Sequence, residues 1–405
     1  MITKSIIVTI FLVVAVAYTF GGGFQLNEHG ARAMAQAGAF AARANDPSAL
    51  YFNPAGISFL KGTQVYLGAT LISPSMTFRG PYNLNTNQET KLENKIYTPI
   101  NIYFTQEIND MFSFGFGVNN PFGLGTKWPD NWVGKTLSIK SEVQLFDFNP
   151  TVSAKFLDDK LSIGAGFNYY LGSVEIIKEA NSFYPPSNIT LKAGLTDGKG
   201  VGYNFGLQYL PEENLRFGLS YRSPVDLKIE GDATFSQKRS IFPEGRAKAT
   251  LNLPATGFIA AAYSPINDLW IEFDAQFIGW SSYKKLEITF LKDNSVSSTE
   301  KNYKDTWILR FGVEYKLTSD IILSSGYFHD FNPVPDETVD PMLPDSDRNG
   351  FNIGFSYKFN DKISFDLAYL YLPFVQRTTE KSDLFFNGTY NNTTHLLGFN
   401  IYLKL

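Results

Sequence analysis

The chain has 405 residues, a formal charge of −4, 16% aromatic residues and no cysteine. Lack of cysteine excludes disulfides, thiolate metal sites and cysteine nucleophiles. The acidic balance, with no basic stripe, gives no footprint for nucleic acid, and without a P-loop or dinucleotide fingerprint no cofactor is expected.

Residues 1–21 read as an export signal. Lys4 supplies the charge, and residues 6–17 form an apolar stretch too short to cross a bilayer as a helix. Cleavage fits after Ala17 or after Gly21; the second is favoured and leaves a mature chain beginning Gly22-Gly23-Phe24. An uncleaved anchor is the alternative. Residues 22–62 differ in character. They are rich in alanine, lack strand alternation, and carry Asn53-Pro54-Ala55 near their end. Residues 31–44 read as one or two short helices, stopped at Asn45-Asp46-Pro47. Such a segment can hang in the periplasm or fold into a barrel as a plug. Its small residues and scarcity of charge favour the plug.

Residues 63–405 read as a barrel. Six short turn signals punctuate them, at Asn109-Asp110, Asp158-Asp159, Glu213-Asn214, Asn267-Asp268, Ser319-Asp320 and Asn360-Asp361. Their spacing, roughly 40 to 55 residues, accommodates two strands and one longer loop per interval. Six turns join twelve strands, and one more at each end makes fourteen, an even count as an outer-membrane barrel requires. Alternation is sharp: Ile271, Phe273, Ala275 and Phe277 are interleaved with Glu272, Asp274 and Gln276. A soluble sandwich gives the same pattern. The aromatic content, the unbroken repeat and the export signal favour a membrane barrel. Strand three alternates through Phe112, Phe114, Phe116 and Val118, with Gly115 and Gly117 on the other face, until Asn119-Asn120-Pro121. On the residues alone, Pro121 starts loop three. That loop presents Phe122, Leu124, Trp128, Trp132 and Val133, an apolar cluster that either binds something or packs on loop four as a cap. His29, His329 and His395 have no metal-ligand neighbours at helical spacing and read as ordinary polar residues.

Gly23-Phe24-Gln25-Leu26-Asn27-Glu28, Asn53-Pro54-Ala55, Phe122-Gly123-Leu124-Gly125-Thr126, Tyr221-Arg222-Ser223, Trp280-Ser281-Ser282, Lys304-Asp305-Thr306-Trp307, Pro333-Val334-Pro335 and Leu343-Pro344-Asp345-Ser346-Asp347-Arg348 occur in this order. The set resembles the outer-membrane long-chain fatty acid and hydrocarbon transporter family, the FadL/TodX type, over nearly the whole chain. The resemblance implies an all-β fold, a 14-stranded antiparallel barrel closed by an N-terminal hatch. It implies passive uptake of hydrophobic small molecules, captured at extracellular loops and released sideways through a kinked third strand. It makes Phe24 a movable gate in the ligand pocket, with Phe122, Leu124, Trp128, Trp132 and Val133 also at the ligand. The lateral gate becomes a break in pairing between Gly115 and Pro121, including Gly117, Asn119 and Asn120, with Asn53-Pro54-Ala55 lying against it. Partners expected are the hydrophobic substrate, outer-membrane lipid and lipopolysaccharide, around a monomer.

Two departures stand out. Family members that bind fatty acids present basic side chains to the carboxylate, but nothing basic occurs at Gly172-Ser173-Val174; Arg310, Lys316 or Lys178 could substitute. This shifts weight from fatty acid toward uncharged hydrocarbon. The chain also ends in Leu405 where such barrels usually end in an aromatic. A general porin would need an open polar lumen, which the hatch segment argues against. A barrel lipase or protease would need a base beside a nucleophile, which the scattered histidines do not supply.

Overall fold

The computed structural model describes residues 22–180 and 186–405. The export signal, residues 1–21, lies outside the described residues. Fourteen antiparallel staves form the barrel, several of them in two pieces where a stave bends. In chain order they are β1 (Thr63–Arg79), β2 (Glu89–Lys91 and Ile100–Glu107), β3 (Phe112–Asn119 and Gly123–Lys127), β4 (Lys140–Phe156), β5 (Leu161–Ala180), β6 (Ser187–Glu212) and β7 (Leu215–Arg222 and Val225–Phe235). The second half comprises β8 (Gly245–Leu253 and Thr256–Ile266), β9 (Leu269–Ile278 and Lys285–Phe290), β10 (Val296–Glu300 and Thr306–Lys316), β11 (Ile321–Asp330), β12 (Arg348–Lys358), β13 (Ile363–Pro373 and Arg377–Thr379) and β14 (Gly388–Lys404). Closure comes from β1 pairing with β14 along its whole length, from Gln64 opposite Lys404 to Arg79 opposite Thr389. No sheet edge is left at that seam.

Short turns fall where the sequence places them. At Asn109 and Asn360 the side-chain Oδ1 accepts backbone N–H groups two and three residues on, so each turn supplies its own hydrogen bonds. The burial pattern then decides what surrounds the barrel. Outward side chains such as Ile163, Phe205, Leu219, Phe273, Phe311, Ile353 and Phe399 are apolar and exposed. Inward ones such as Asp147, Asn204, Gln208, Glu272, Asp274, Arg310 and Asn400 are polar and buried. This is a soluble fold turned inside out, and it suits a bilayer.

Residues 22–60, nearly all of them buried, pack against the inward faces of the staves. They include α1 (Ala31–Ala35), α2 (Ala49–Phe52) and a 3-10 helix (Pro54–Phe59), separated by turns. Small residues on both sides allow backbone-to-backbone approach. A Cβ on Gly218 of β7 would fall 2.3 Å from the Ala41 carbonyl oxygen, and one on Gly312 of β10 would fall 2.7 Å from that of Gln36. Such distances admit glycine and little else, which is why an alanine-rich segment seats there.

Charge fixes the seat. The backbone N–H groups of Phe40 and Ala41 both donate to Asp274 at 3.0 Å, and that of Ala42 donates to Glu272 at 2.7 Å. Arg43 pairs with Glu272 at 2.9 Å and with Glu314 at 3.0 Å, while Arg32 forks onto Glu314 with two bonds of 2.9 Å. Planar guanidinium groups match carboxylates in this two-pronged way.

Candidate functional site

Strand three departs from the barrel at one place. Below it, β3 pairs regularly with β2, from Glu107 opposite Ser113 to Asn101 opposite Asn119. Gly115 and Gly117 therefore sit within intact ladders, opposite Thr105 and Tyr103. This corrects the expectation of a break beginning at Gly115. The space beside these glycines is already taken: a Cβ on Gly115 would lie 2.7 Å from Leu50 of the hatch, and one on Gly117 would lie 3.0 Å from Tyr103 of β2.

The break starts at Asn120. Its side chain takes over the strand's role, accepting from the Ile100 backbone N–H at 2.8 Å and donating to the Leu145 carbonyl at 2.6 Å. Above it, β3 keeps β4 but loses β2. Asn119 faces Asp147, whereas Gly123, four residues on, faces Gln144, three residues back. One extra residue has been inserted on the β3 side, a bulge at Pro121, which has no N–H to offer a ladder. On the β2 side the next backbone contact is Glu93 N–H to the Lys127 carbonyl at 2.8 Å. Between these points no backbone hydrogen bond joins β3 to the β2 side among the described residues, which leaves an opening in the ladder.

The first described residues of the hatch take the vacant backbone partners. Leu26 N–H donates to the Pro121 carbonyl and Gly123 N–H donates to the Phe24 carbonyl, both at 3.0 Å. Gly23 N–H donates to Asp345 Oδ2 at 2.8 Å, which anchors this segment from the far side. Burial pushes the Asp345 carboxyl up to about 6. Phe24 is thereby held in an aromatic nest, with ring centroids 4.7 Å from Trp280, 5.9 Å from Tyr283 and 5.9 Å from Phe122.

Two cavities meet at Phe24. One, of about 900 Å³ including its open mouth, is apolar and reaches the extracellular extensions of β5–β9 past Ile176, Leu191, Leu286 and Ile288. The other, about 1340 Å³ measured likewise, runs from Phe24–Glu28 to Ile96 and Tyr97 at the opening beside β2. Phe24, Leu124, Val143 and Leu343 line both. Phe24 is a septum between them.

The remaining candidate residues separate into groups. Phe122 is buried in the Phe24 nest and Leu124 packs against it. Trp128 and Trp132 stack on each other at 4.3 Å and pack with Phe78, Phe386 and Tyr390. They line neither cavity, and Val133 beside them is exposed. Asn53-Pro54-Ala55, expected against the opening, lies instead against β5 and β6. A Cβ on Gly206 would fall 2.1 Å from Asn53 Oδ1, and Asn53 Nδ2 donates to the Leu207 carbonyl at 3.0 Å.

Of the candidate cations, Arg310 is buried and bonded to the Ala37 carbonyl and Gln276, whereas Lys316 is exposed. His29 stacks on Tyr51 with centroids 3.4 Å apart, and burial lowers its pKa to about 3, so it stays neutral. Among the described residues no cluster of metal-ligating side chains occurs. Sequence reasoning did not place Trp280, Tyr283 and Tyr303 at the site, although Trp280-Ser281-Ser282 was among the motifs noted. An indole followed by two serines in a strand bend was the available signal.

Residues 12–403 match the family model described as outer membrane protein transport protein (OMPP1/FadL/TodX). The chain belongs to this family. It is an outer-membrane transport protein, not an enzyme. A long-chain fatty acid transport protein of Escherichia coli O6:H1 is 26% identical over 404 residues, covering 89% of this chain and 90% of the relative. Outer membrane protein P1 of Haemophilus influenzae is 24% identical with coverages of 89% and 90%. Among solved structures, a Pseudomonas aeruginosa FadL homologue superposes with a TM-score of 0.84 at 19% identity, covering 95% of this chain and 100% of that one. The P. putida toluene transporter TodX gives 0.77 at 16% identity, with coverages of 96% and 99%. These likenesses support the fourteen-stave barrel.

Proposed function

We propose that the transporter takes up long-chain fatty acids or hydrocarbons through the apolar upper cavity, passes them under Phe24, and releases them sideways between β2 and β3. The observation that carries this reading is the stretch above Asn120 where β3 leaves β2 and the second cavity meets Ile96 and Tyr97. Release downward would expose the ligand to water at roughly 25 cal/mol per Å² of apolar surface, many kcal/mol for a long chain. Sideways release into the bilayer avoids that cost. Trp128 and Trp132 hold the loop scaffold, and capture falls to the apolar lining above Phe24. Lipid and lipopolysaccharide surround the apolar outer face of a monomer. Transport is downhill, drawn by partition into the membrane.

Deleting Pro121 tests the route. Loss of one residue restores a single register between Asn119 and Gly123 against β4, so β3 can rejoin β2. Uptake of labelled palmitate and hexadecane by cells should fall to background at unchanged surface abundance. Normal uptake of both would place the exit elsewhere, most simply through the lumen past the hatch.

A further inference from the structure

The opening is crossed on its outer side by a strap that the uptake route does not use. Tyr97 of the β2 connection lies over Gly125 of β3: a Cβ on Gly125 would fall 2.1 Å from the tyrosine Cζ. Lys95 Nζ sits 5.0 Å from the centre of the Tyr97 ring and pairs with Glu142 of β4 at 2.7 Å. Glu142 is the residue facing Gly125 in the β3–β4 register. One lysine thus ties β2 to β4 across the in-turned β3. Lys95, Tyr97 and Glu142 also line the second cavity.

The ion pair is built to exchange. Both side chains are partly exposed, so the pair contributes only about 0–1 kcal/mol. Glu142 has a second cation, Lys140 at 3.0 Å, and stays paired when Lys95 leaves. Lys95 has no other acid within ion-pairing distance among the described residues. A carboxylate arriving through the cavity can take Lys95 without stranding Glu142.

The height of the strap suits this exchange. Tyr97 pairs with Ile72 of β1, and the outward residues of β1 change from apolar to polar between Leu71 and Ser73. On β4 the same change falls between Phe146 and Gln144, one outward position below Glu142. The strap therefore lies at the outer edge of the apolar band. A cation there keeps its head at the interface while its stem covers apolar surface. An acid leaving sideways needs its tail in the hydrocarbon and its carboxylate at this level.

We propose that Lys95 is an exit subsite for the carboxylate of a departing fatty acid, with Tyr97 and the Lys95–Glu142 pair closing the opening until an acid displaces Glu142. The proposal rests on lateral release, and it makes the opening selective for acids over neutral chains of equal length.

Palmitate and hexadecanol uptake, measured in cells with matched surface abundance of each variant, tests it. Lys95→Gln should slow palmitate at least fivefold and leave hexadecanol within twofold, and Lys95→Arg should restore palmitate. Tyr97→Ala should speed hexadecanol at least twofold. Equal slowing of both ligands by Lys95→Gln, or no slowing of palmitate, overturns the subsite. So does a wild-type protein that carries hexadecanol but not palmitate. The Pro121 deletion keeps the two readings apart. If it stops both ligands while Lys95→Gln spares palmitate, lateral release stands and the subsite falls; if it stops neither, lateral release falls with it.

Discussion

Glu314→Gln should loosen the hatch without harming the barrel. Glu314 receives three guanidinium bonds, two from Arg32 and one from Arg43, and a further one from Gln36 at 3.1 Å. Glutamine keeps the size and one acceptor but removes the charge that both arginines share. Arg43 retains Glu272, whereas Arg32 loses the only carboxylate within ion-pairing distance among the described residues. Breaking one side of a buried pair costs about 3–5 kcal/mol, and the lower end applies because one arginine keeps a partner. At ~1.4 kcal/mol per factor of ten, the released hatch should become roughly a hundredfold more populated. Hydrogen exchange in detergent micelles reads this directly. The Ala31–Ala35 amides should exchange about a hundred times faster while amides of β12 and β13 hold their rates, and trypsin should cut after Arg32 and Arg43. Hatch exchange within about threefold of wild type would show that the carboxylate does not hold the plug.

Phe24→Ala should merge the two cavities and change palmitate affinity at least fivefold, measured by fluorescent fatty-acid displacement, while the barrel still resists heat; unchanged affinity would remove Phe24 from the path. Trp132→Ala should cost about 3–5 kcal/mol of packing in the loop-three cap, seen as faster proteolysis there, with ligand affinity kept; lost affinity would bring the cap into the binding site. Asp345 sets a pH dependence. Its folded pKa, about 6, lies above the usual 3.8, so the folded state holds a proton that the unfolded chain has lost. Its stabilising contribution is full below about pH 4 and disappears as pH rises through about 6, a change of up to about 3 kcal/mol. Unfolding in detergent should show wild type losing stability relative to Asp345→Asn across that window, and parallel curves would refute it.

The barrel was legible because its signals are local. Period-two alternation and turn residues such as Asn109 and Asn360 act within a few positions, and they give the stave count. The site was legible only in part. Gly115, Gly117 and Pro121 looked like one interruption, but the first two pair normally. Where β3 leaves the wall depends on its register against β4 and on β2 ceasing to pair, neither of which is local to the segment. Trp128 and Trp132 read as a binding surface because their partners Phe78, Phe386 and Tyr390 come from both far ends of the chain. Glu272 and Glu314 were simply the polar members of alternating strands. Nothing in a single strand marks a carboxylate that will meet an arginine more than 200 positions earlier.

Because Phe24 occupies the junction of the two cavities, every ligand on the proposed route contends with a competitor that never diffuses away. A segment held this close acts at an effective concentration on the order of millimolar or more. A passing detergent monomer or bile-like amphiphile at micromolar levels is outnumbered by the chain's own side chain. A molecule wins only if it fills the Trp280–Tyr283–Phe122 nest much better than one benzyl group does. On that route the barrel would carry a greasy passage through the cell's outer permeability barrier and still screen out weak binders.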